Sequence, residues 1–252
     1  MAALFQHVAV PLRLLLVRHG LSSFNVERRI QGRDDLSTLT ASGQEQARRL
    51  GQALADVPIQ AIYSSPLKRA ASTAAGILES RDDGLEPSFD DGLLEIDLEP
   101  WSGLTATERS ERFPEDFATW KQKPEALELT RKDGSRYRPY EELMKQARRF
   151  LEELVRRHPV NSDDTVLLVG HNAILRCLIV SLLGDPERGF RRLRLDNASL
   201  SIFNLSPCDN GYQVQIECLN STAHLDPPLP AKGAGSRLIL VRHGETNWNR
   251  EG

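Results

Sequence analysis

The sequence predicts an α/β fold, a three-layer α/β/α sandwich around a mostly parallel central sheet. Two observations lead to this prediction. Short apolar runs such as 12–17 and 165–169 alternate with longer stretches in which apolar residues recur at helical spacing, as over 141–158. In addition, three of the short runs end in polar or charged residues, as expected where parallel strands direct their carboxyl ends toward a shared crevice.

Local patterns justify the individual elements. Thr40 can cap a helix over 43–55, and Ser64-Ser65-Pro66 is typical of the start of a helix that runs to Leu78. In chain order we predict a strand at 12–17, a helix at 43–55, a strand at 59–63, a helix ending at 78, an extended segment at 93–96, short helices and loops over 101–140, a helix at 141–158, a strand at 165–169, a helix at 172–183, and a hairpin of strands 199–205 and 212–218.

The opening strand is repeated near the end of the sequence. RLLLVRHG at 13–20 returns as RLILVRHG at 237–244, after a segment rich in proline and glycine. We therefore predict one domain over 1–225, a linker over 226–236, and the truncated start of a second, tandem copy over 237–252. Three placements stay open for the apolar tail: loose at the end of the linker, docked on an exposed sheet edge, or paired with a neighbouring chain, and exposed apolar segments favour self-association. In each case the tail would add nothing to catalysis.

Composition narrows the function classes. A net charge of −3 argues against nucleic acid as the partner. The mean hydropathy of −0.40 and the lack of an apolar run near 18 residues argue against a membrane span. The start lacks the pattern of a secretory signal, and the sparse cysteines Cys177, Cys208 and Cys218 fit a reducing environment, so we expect a cytoplasmic protein.

Polar residues at the predicted strand ends indicate a phosphate site. Arg18 and His19 end the first strand, Arg69 follows the second by one helical turn, and His171 ends the late strand. Guanidinium groups match phosphate oxygens in a bidentate manner, and a neutral imidazole can attack phosphorus. These residues predict a cationic pocket for a small-molecule phosphate monoester, with no metal and no cofactor.

Cleavage of a phosphate ester also needs a proton for the leaving oxygen. Glu95 is the preferred carboxyl, ahead of Asp97 and Glu99. Acidic neighbours or apolar walls would raise its pKa and keep it protonated, and the bound phosphate would act in the same direction. The basic run at 188–194 is interpreted as a solvated face, and recruitment of an anionic substrate tail is the alternative.

Four segments give the chain its resemblance to the histidine phosphatase superfamily, the phosphoglycerate-mutase-like group. They are Arg18-His19-Gly20 with Asn25, SSPLKRAASTA at 64–74, LLEIDLEPWSG at 93–103, and GHNAILR at 170–176, and they occur in the family's order. The resemblance covers about 13–220 and implies a phosphoglycerate-mutase-like fold.

The resemblance also implies roles for individual residues. His19 would carry the phosphoryl group, Arg18, Arg69 and His171 would form the phosphate pocket, Asn25 would assist it, and Glu95 would donate the proton. Two positions depart from the family's usual pattern, which has Glu or Gln at the position of Leu21 and glycine at the position of Glu99. Leu21 affects the positioning of substrate, and Glu99 affects the loop that follows Glu95.

Three functions are therefore under consideration. The leading hypothesis is a phosphatase that works through phosphohistidine. The first alternative is a 2,3-bisphosphoglycerate-dependent phosphoglycerate mutase, although the moderate separation of Glu95 and His171 favours a phosphatase. The second alternative is a non-catalytic interaction module. The identity of the leaving alcohol would depend on the 101–140 segment.

Overall fold

The computed structural model describes residues 11–185, 189–209, 211–229, 236–241 and 243. The elements, in order, are β1 (Leu12–Arg18), α1 (Ser23–Val26), α2 (Ala41–Ala53), β2 (Ala61–Ser64), α3 (Lys68–Leu78), β3 (Pro87–Phe89), α4 (Ala106–Arg112), α5 (Pro114–Gln122), β4 (Leu129–Thr130), β5 (Arg136–Tyr137), α6 (Pro139–Arg157), β6 (Thr165–Gly170), α7 (Asn172–Leu182), β7 (Leu200–Cys208) and β8 (Gly211–Ser221). Within these residues, no helix combines the length and the apolar composition that crossing a lipid bilayer would need.

A six-stranded sheet forms the centre of the fold. Its strand order is β3-β2-β6-β1-β7-β8. The first four strands in that order are parallel, while β7 and β8 form an antiparallel hairpin on the far side of β1. The prediction of a mostly parallel sheet is therefore confirmed, with β1 and β6 as its two central strands.

Side chains alternate across this sheet and build two apolar layers. On one face, Leu14 and Leu16 of β1 pack in the cluster that also contains α6 and α7. On the other face, Leu15 and Val17 pack with α2 and α3. Because strand residues point alternately to opposite faces, an uninterrupted apolar strand such as β1 needs helices on both sides. The structure thus has the predicted three layers.

Most predicted helices and strands are present, although their first and last residues differ from the predicted ones. The predicted start of α3 and the predicted extended segment at 93–96 were wrong. The helix expected at Ser65-Pro66 begins at Lys68, because Ser65 stays extended and donates its backbone N–H to the Val169 carbonyl oxygen at 2.9 Å. The extended segment expected at 93–96 is instead a 3₁₀ turn at Asp91–Leu93 followed by irregular chain. Its Asp90 side chain accepts a hydrogen bond from the Gly92 N–H at 2.8 Å, which favours the turn.

The repeated segment near the end of the chain has no partner strand within the described residues. Leu238, Leu240 and Val241 are each more than 80% exposed, and residues 236–241 form no strand. The sequence pattern predicted a strand here, but a strand needs a neighbouring strand to satisfy its backbone hydrogen bonds. Part of the predicted linker, 230–235, and most of 242–252 lie outside the described residues, so this domain division stays a prediction.

Two glycines allow the turn after β1 to lie against the start of α2. A Cβ atom on Gly20 would lie 2.5 Å from the carbonyl oxygen of Gly43, and a Cβ atom on Gly43 would overlap the Leu21 carbonyl oxygen. Thr40 caps the helix at the same place, since its hydroxyl accepts from the Gly43 N–H at 3.0 Å. The close approach of two backbones therefore fixes the turn that carries His19.

We predict that Gly43→Ala lowers the free energy of unfolding by about 1–3 kcal/mol, because the added methyl group displaces backbone that cannot relax freely. Urea denaturation measures this change, and the adjacent exposed substitution Ser42→Ala is the control, expected to lie within about 0.5 kcal/mol of the parent protein. Equal stability of the two variants would show that the turn can move away from α2.

Candidate active site

The carboxyl ends of β1, β2 and β6 meet at one edge of the sheet. Arg18 pairs with Gly170, and Ser64 pairs with Val169. The helix after β1 packs on one face of the sheet and the helix after β6 packs on the other. Adjacent parallel strands whose connections leave in opposite directions open a crevice between them, and the predicted site lies at this point.

His19 is buried and held in one tautomer. Its Nδ1 lies 2.8 Å from the carbonyl oxygen of Gly20. Because a carbonyl oxygen can only accept, Nδ1 carries the hydrogen and Nε2 of the neutral ring keeps its lone pair. Burial lowers the pKa of His19 well below its usual range, and the charges of Arg18 and Arg69 lower it further. The ring is therefore a neutral imidazole with a free Nε2.

His171 lies beside His19 as the residue that precedes α7. The two ring centroids are 5.2 Å apart. Its Nε2 is 2.8 Å from the Ser65 hydroxyl, while its buried Nδ1 has no hydrogen-bond partner. Burial, followed by the charge of Arg69, holds its pKa well below the usual range. An unpartnered buried ring nitrogen is free to contact a ligand atom.

Arg18 and Arg69 bring positive charge to the two histidines. Arg69 is completely buried, and its Nη1 and Nη2 donate to the carbonyl oxygens of Asp34 and Gly32, each at 2.8 Å. Arg18 Nη1 donates to the Leu195 carbonyl oxygen at 2.6 Å. Burial is the main cause that lowers the pKa of Arg18, to about 10. The Nε atoms of both arginines are buried without a partner, so each guanidinium retains donors for a ligand.

Glu95 is placed by the first turn of α7. Its Oε1 accepts from the backbone N–H groups of Ala173 at 3.1 Å and Ile174 at 3.2 Å, and also from its own neighbour Ile96 at 2.9 Å. Backbone donors and the positive end of a helix stabilise a negative charge on a carboxylate. Of the two surroundings considered for Glu95, acidic neighbours and apolar walls, the first is absent from the described cleft lining: Glu95 faces the α7 N-terminus and the charges of Arg18 and Arg69.

Asn25 occupies a different position from the other predicted residues. Its Oδ1 accepts from the Ser22 hydroxyl at 2.9 Å and from Asn197 Nδ2 at 3.0 Å. Asn197 Nδ2 also lies 3.1 Å from the His19 carbonyl oxygen and 3.2 Å from that of Gly20. Asn25 thus supports the turn after His19 and is not among the described residues that line the cleft. Its role as a phosphate ligand stays a prediction.

The site opens into a cleft of about 290 Å³ that brings together Arg18, His19, Arg69 and Glu95. Sequence reasoning missed Asn197, which has no motif around it, and three arginines in the lining, Arg29, Arg109 and Arg176. Arg191 also lines the cleft and lies in the basic run at 188–194, which was interpreted as a solvated face, with recruitment of an anionic substrate tail as the alternative. The only available signal for Arg176 was its place at the end of GHNAILR.

Comparison with known proteins identifies the family. The model of the histidine phosphatase superfamily (branch 1) matches residues 14–217. A probable 2-carboxy-D-arabinitol-1-phosphatase of Arabidopsis thaliana is 35% identical over 93% of this chain and 48% of its own length. Phosphoserine phosphatase 1 of Hydrogenobacter thermophilus is 35% identical over 84% of this chain and 94% of its own length.

Other relatives have names that denote different enzymes. A probable phosphoglycerate mutase of Salmonella arizonae is 33% identical over 86% of this chain and 96% of its own length. The solved structure of a mycobacterial glucosyl-3-phosphoglycerate phosphatase superimposes with a TM-score of 0.69, at 28% identity, over 82% of this chain and 98% of that one. The chain spans about half the length of the carboxyarabinitol phosphatases that it matches. It belongs to the histidine phosphatase superfamily, branch 1.

Proposed function

We propose that this chain hydrolyses a small-molecule phosphate monoester through a phosphohistidine at His19, without a metal and without a cofactor. The observation that carries the proposal is the fixed tautomer of His19, which leaves the Nε2 lone pair free beside the half-buried Arg18 and the fully buried Arg69. Phosphatase names among relatives and family membership support the same reaction. A cationic cleft of this kind would stabilise the negative charge of a bound phosphate dianion.

The reaction has two steps. In the first, Nε2 of His19 attacks phosphorus while the bond from phosphorus to the ester oxygen breaks, and Glu95 gives its proton to that oxygen. In the second, water attacks phosphorus while the bond from phosphorus to Nε2 breaks; the water gives a proton to Glu95, His19 returns to the neutral ring, and inorganic phosphate is released. Arg18, Arg69 and His171 contact the phosphoryl oxygens in both steps, and the charges of the two arginines and the hydrogen bonds of all three residues offset the negative charge of the transition state.

We predict that His19→Ala abolishes turnover and the acid-labile phosphoenzyme, because the described cleft offers no second imidazole nitrogen with the same fixed tautomer. Release of phosphate and acid-quench trapping of labelled enzyme measure the two effects. The control is His158→Ala, which removes a histidine bound to Tyr63 and Asp164 and leaves the cleft lining intact. EDTA should not change the rate of the parent enzyme. A normal phosphoenzyme level in His19→Ala would remove the basis of the proposal.

We predict that Glu95→Gln slows alkyl phosphates by about 10²–10⁴-fold but slows p-nitrophenyl phosphate much less, since nitrophenolate leaves with little help from a proton. The kcat/KM values of both substrate types measure this difference. Glutamine keeps the size of the side chain and its acceptor oxygen for the α7 N–H groups. An equal loss for both substrates would indicate that Glu95 positions the substrate or the helix and does not transfer the proton.

A phosphoglycerate mutase is the second candidate. The relative that carries a probable mutase name is 33% identical to the chain. The same phosphohistidine would return its phosphoryl group to a phosphoglycerate instead of to water. Parallel assays with and without a 2,3-bisphosphoglycerate primer separate the two reactions. A purely non-catalytic module would show neither activity.

We also propose a tandem arrangement in which 237–252 begins a second copy of the domain, based on the repeat of RLLLVRHG and on relatives about twice as long. The exposed apolar residues Leu238, Leu240 and Val241 would then account for self-association. A cytoplasmic location fits three free cysteines, and the net charge and cleft chemistry favour a small phosphate ester over nucleic acid or membrane as the partner.

We predict that a chain ending at Asp226 keeps the kcat/KM of the full sequence and shows less concentration-dependent association in light scattering. The reason is that no described residue of 227–252 is among those that line the cleft. Leu238→Ser with Leu240→Ser in the full sequence is a matched variant that removes the apolar character alone. A folded but inactive shortened chain would show that the tail contributes to the site.

A further inference from the structure

The cleft holds more positive charge than one phosphate group requires. Besides Arg18 and Arg69 at the histidines, its described lining contains Arg29, Arg109, Arg176 and Arg191, and Glu95 is the one acidic side chain in that lining. A phosphate monoester brings a charge of about −2 at most. Two arginines beside His19 are enough to match it, so the other four require a separate explanation.

Arg109 is held by aromatic rings and not by a carboxylate. Its guanidinium carbon lies 4.2 Å from the ring centre of Phe117 and 5.1 Å from that of Trp101. The side chain is buried, and its Nε has no hydrogen-bond partner. A guanidinium that stacks on a ring uses its flat face for that contact. The N–H groups along its edge therefore stay free to bind a ligand.

Arg176 and Arg191 are held in the same manner by neighbouring aromatic rings. Arg191 lies 4.6 Å from the ring centre of Trp120 and donates to the Trp120 carbonyl oxygen. Arg176 lies 5.6 Å from the ring centre of Phe190, and its buried Nε is also unpartnered. The rings of Trp120 and Phe190 contact each other edge to face at 6.3 Å, so the two arginines share one aromatic support.

The charges of Glu95 and Glu125 act on Arg176 and Arg191, but neither carboxylate forms an ion pair with this group within the described residues. Within the described part of the chain, neither Arg109 nor Arg176 forms an ion pair. Burial is the main cause that lowers the pKa of both; the charge of Arg191 lowers each further, while the charge of Glu95 opposes the shift at Arg176. Arg29, which also lines the cleft, differs because Glu27 binds it at 2.8 Å. Buried like charges without counter-ions are costly, and an anionic ligand would relieve that cost.

We propose that Arg109, Arg176 and Arg191 form a subsite for a second anionic group, a carboxylate or a second phosphate, on the same substrate whose phosphate ester lies at His19. This proposal rests on the proposed function and specifies its substrate class. Arg176 lies close enough to act electrostatically on Arg18 as well as on Arg191, so it connects the two subsites. The volume of about 290 Å³ restricts the substrate to a small metabolite.

Three esters with one carbon skeleton test the subsite. Glycerol 3-phosphate, 3-phosphoglycerate and glycerol 1,3-bisphosphate carry a hydroxymethyl group, a carboxylate and a second phosphate at the same position. Calorimetric titration of the His19→Ala protein measures their affinities without turnover. We expect one or both of the doubly anionic ligands to bind at least about tenfold more tightly than glycerol 3-phosphate, as charge-assisted hydrogen bonds predict. The stronger of the two identifies the second group.

Arg176→Gln and Arg191→Gln, each placed in the His19→Ala background, should reduce this preference to about threefold or less. Arg192→Gln, an exposed neighbour outside the cleft lining, is the matched control and should leave the preference unchanged. Because Arg191 is itself exposed, its replacement should not affect folding, which thermal denaturation verifies.

Equal affinity of the three ligands for His19→Ala protein, or a preference that survives both substitutions, would overturn the subsite. Hydrolysis assays on the enzyme with His19 intact separate this result from failure of the proposed function. If p-nitrophenyl phosphate and all three esters stay intact, the hydrolase proposal fails, and the binding data still decide the subsite. If all are hydrolysed equally and bound equally, the phosphatase stands without the subsite.

Discussion

The pairing of β1 with β6 determines the position of the whole site. The ladder continues beyond the last paired residues, because the His19 N–H donates to the Gly170 carbonyl oxygen at 2.9 Å. This hydrogen bond places the residues that follow the two strands side by side, and the ring centroids of His19 and His171 are 5.2 Å apart as a result. A shift of one residue in the register of β1 against β6 would place the side chains of His19 and His171 on opposite faces of the sheet. The uninterrupted apolar strands on either side of the pairing make such slippage costly.

The second constraint is the free-energy cost of burying charged and polar groups in the site. The site buries imidazoles and guanidinium groups that water would solvate better, and burial is the first cause of the lowered pKa values of His19, His171 and Arg18. The same burial disfavours the charged imidazole and leaves the Nε2 lone pair of His19 available, as the proposed reaction requires. Carbonyl oxygens from irregular segments, such as those of Gly32 and Asp34 on Arg69, compensate part of the cost without neutralising the charge. Stability is thus given up at the cleft that we propose binds the phosphate.

The sequence predicted the parts of the fold and site that depend on local pattern. The apolar stripe of α6, the Thr40 cap and the polar residues at the ends of β1 and β6 are all local features, and the structure has each of them. Asn197 and Arg109 could not be found in this way, because their roles arise from contacts between segments far apart in the chain. The 3₁₀ turn at Asp91–Leu93 was missed since an Asp90 side-chain hydrogen bond outweighs the weak strand pattern.

The position of Glu95 joins these constraints into one mechanism. The Glu95 carboxyl group accepts hydrogen bonds from the Ala173 and Ile174 N–H groups, which fix it at the N-terminus of α7 beside the cleft. In the reaction that we propose, a phosphate ester lies in the same cleft, and two neighbouring acidic groups favour the sharing of one proton between them. The proton for the leaving oxygen would then enter with the ester or be taken up when it binds. The α7 N-terminus would stabilise the carboxylate that remains after transfer, so the element that fixes Glu95 would also favour the direction of the step.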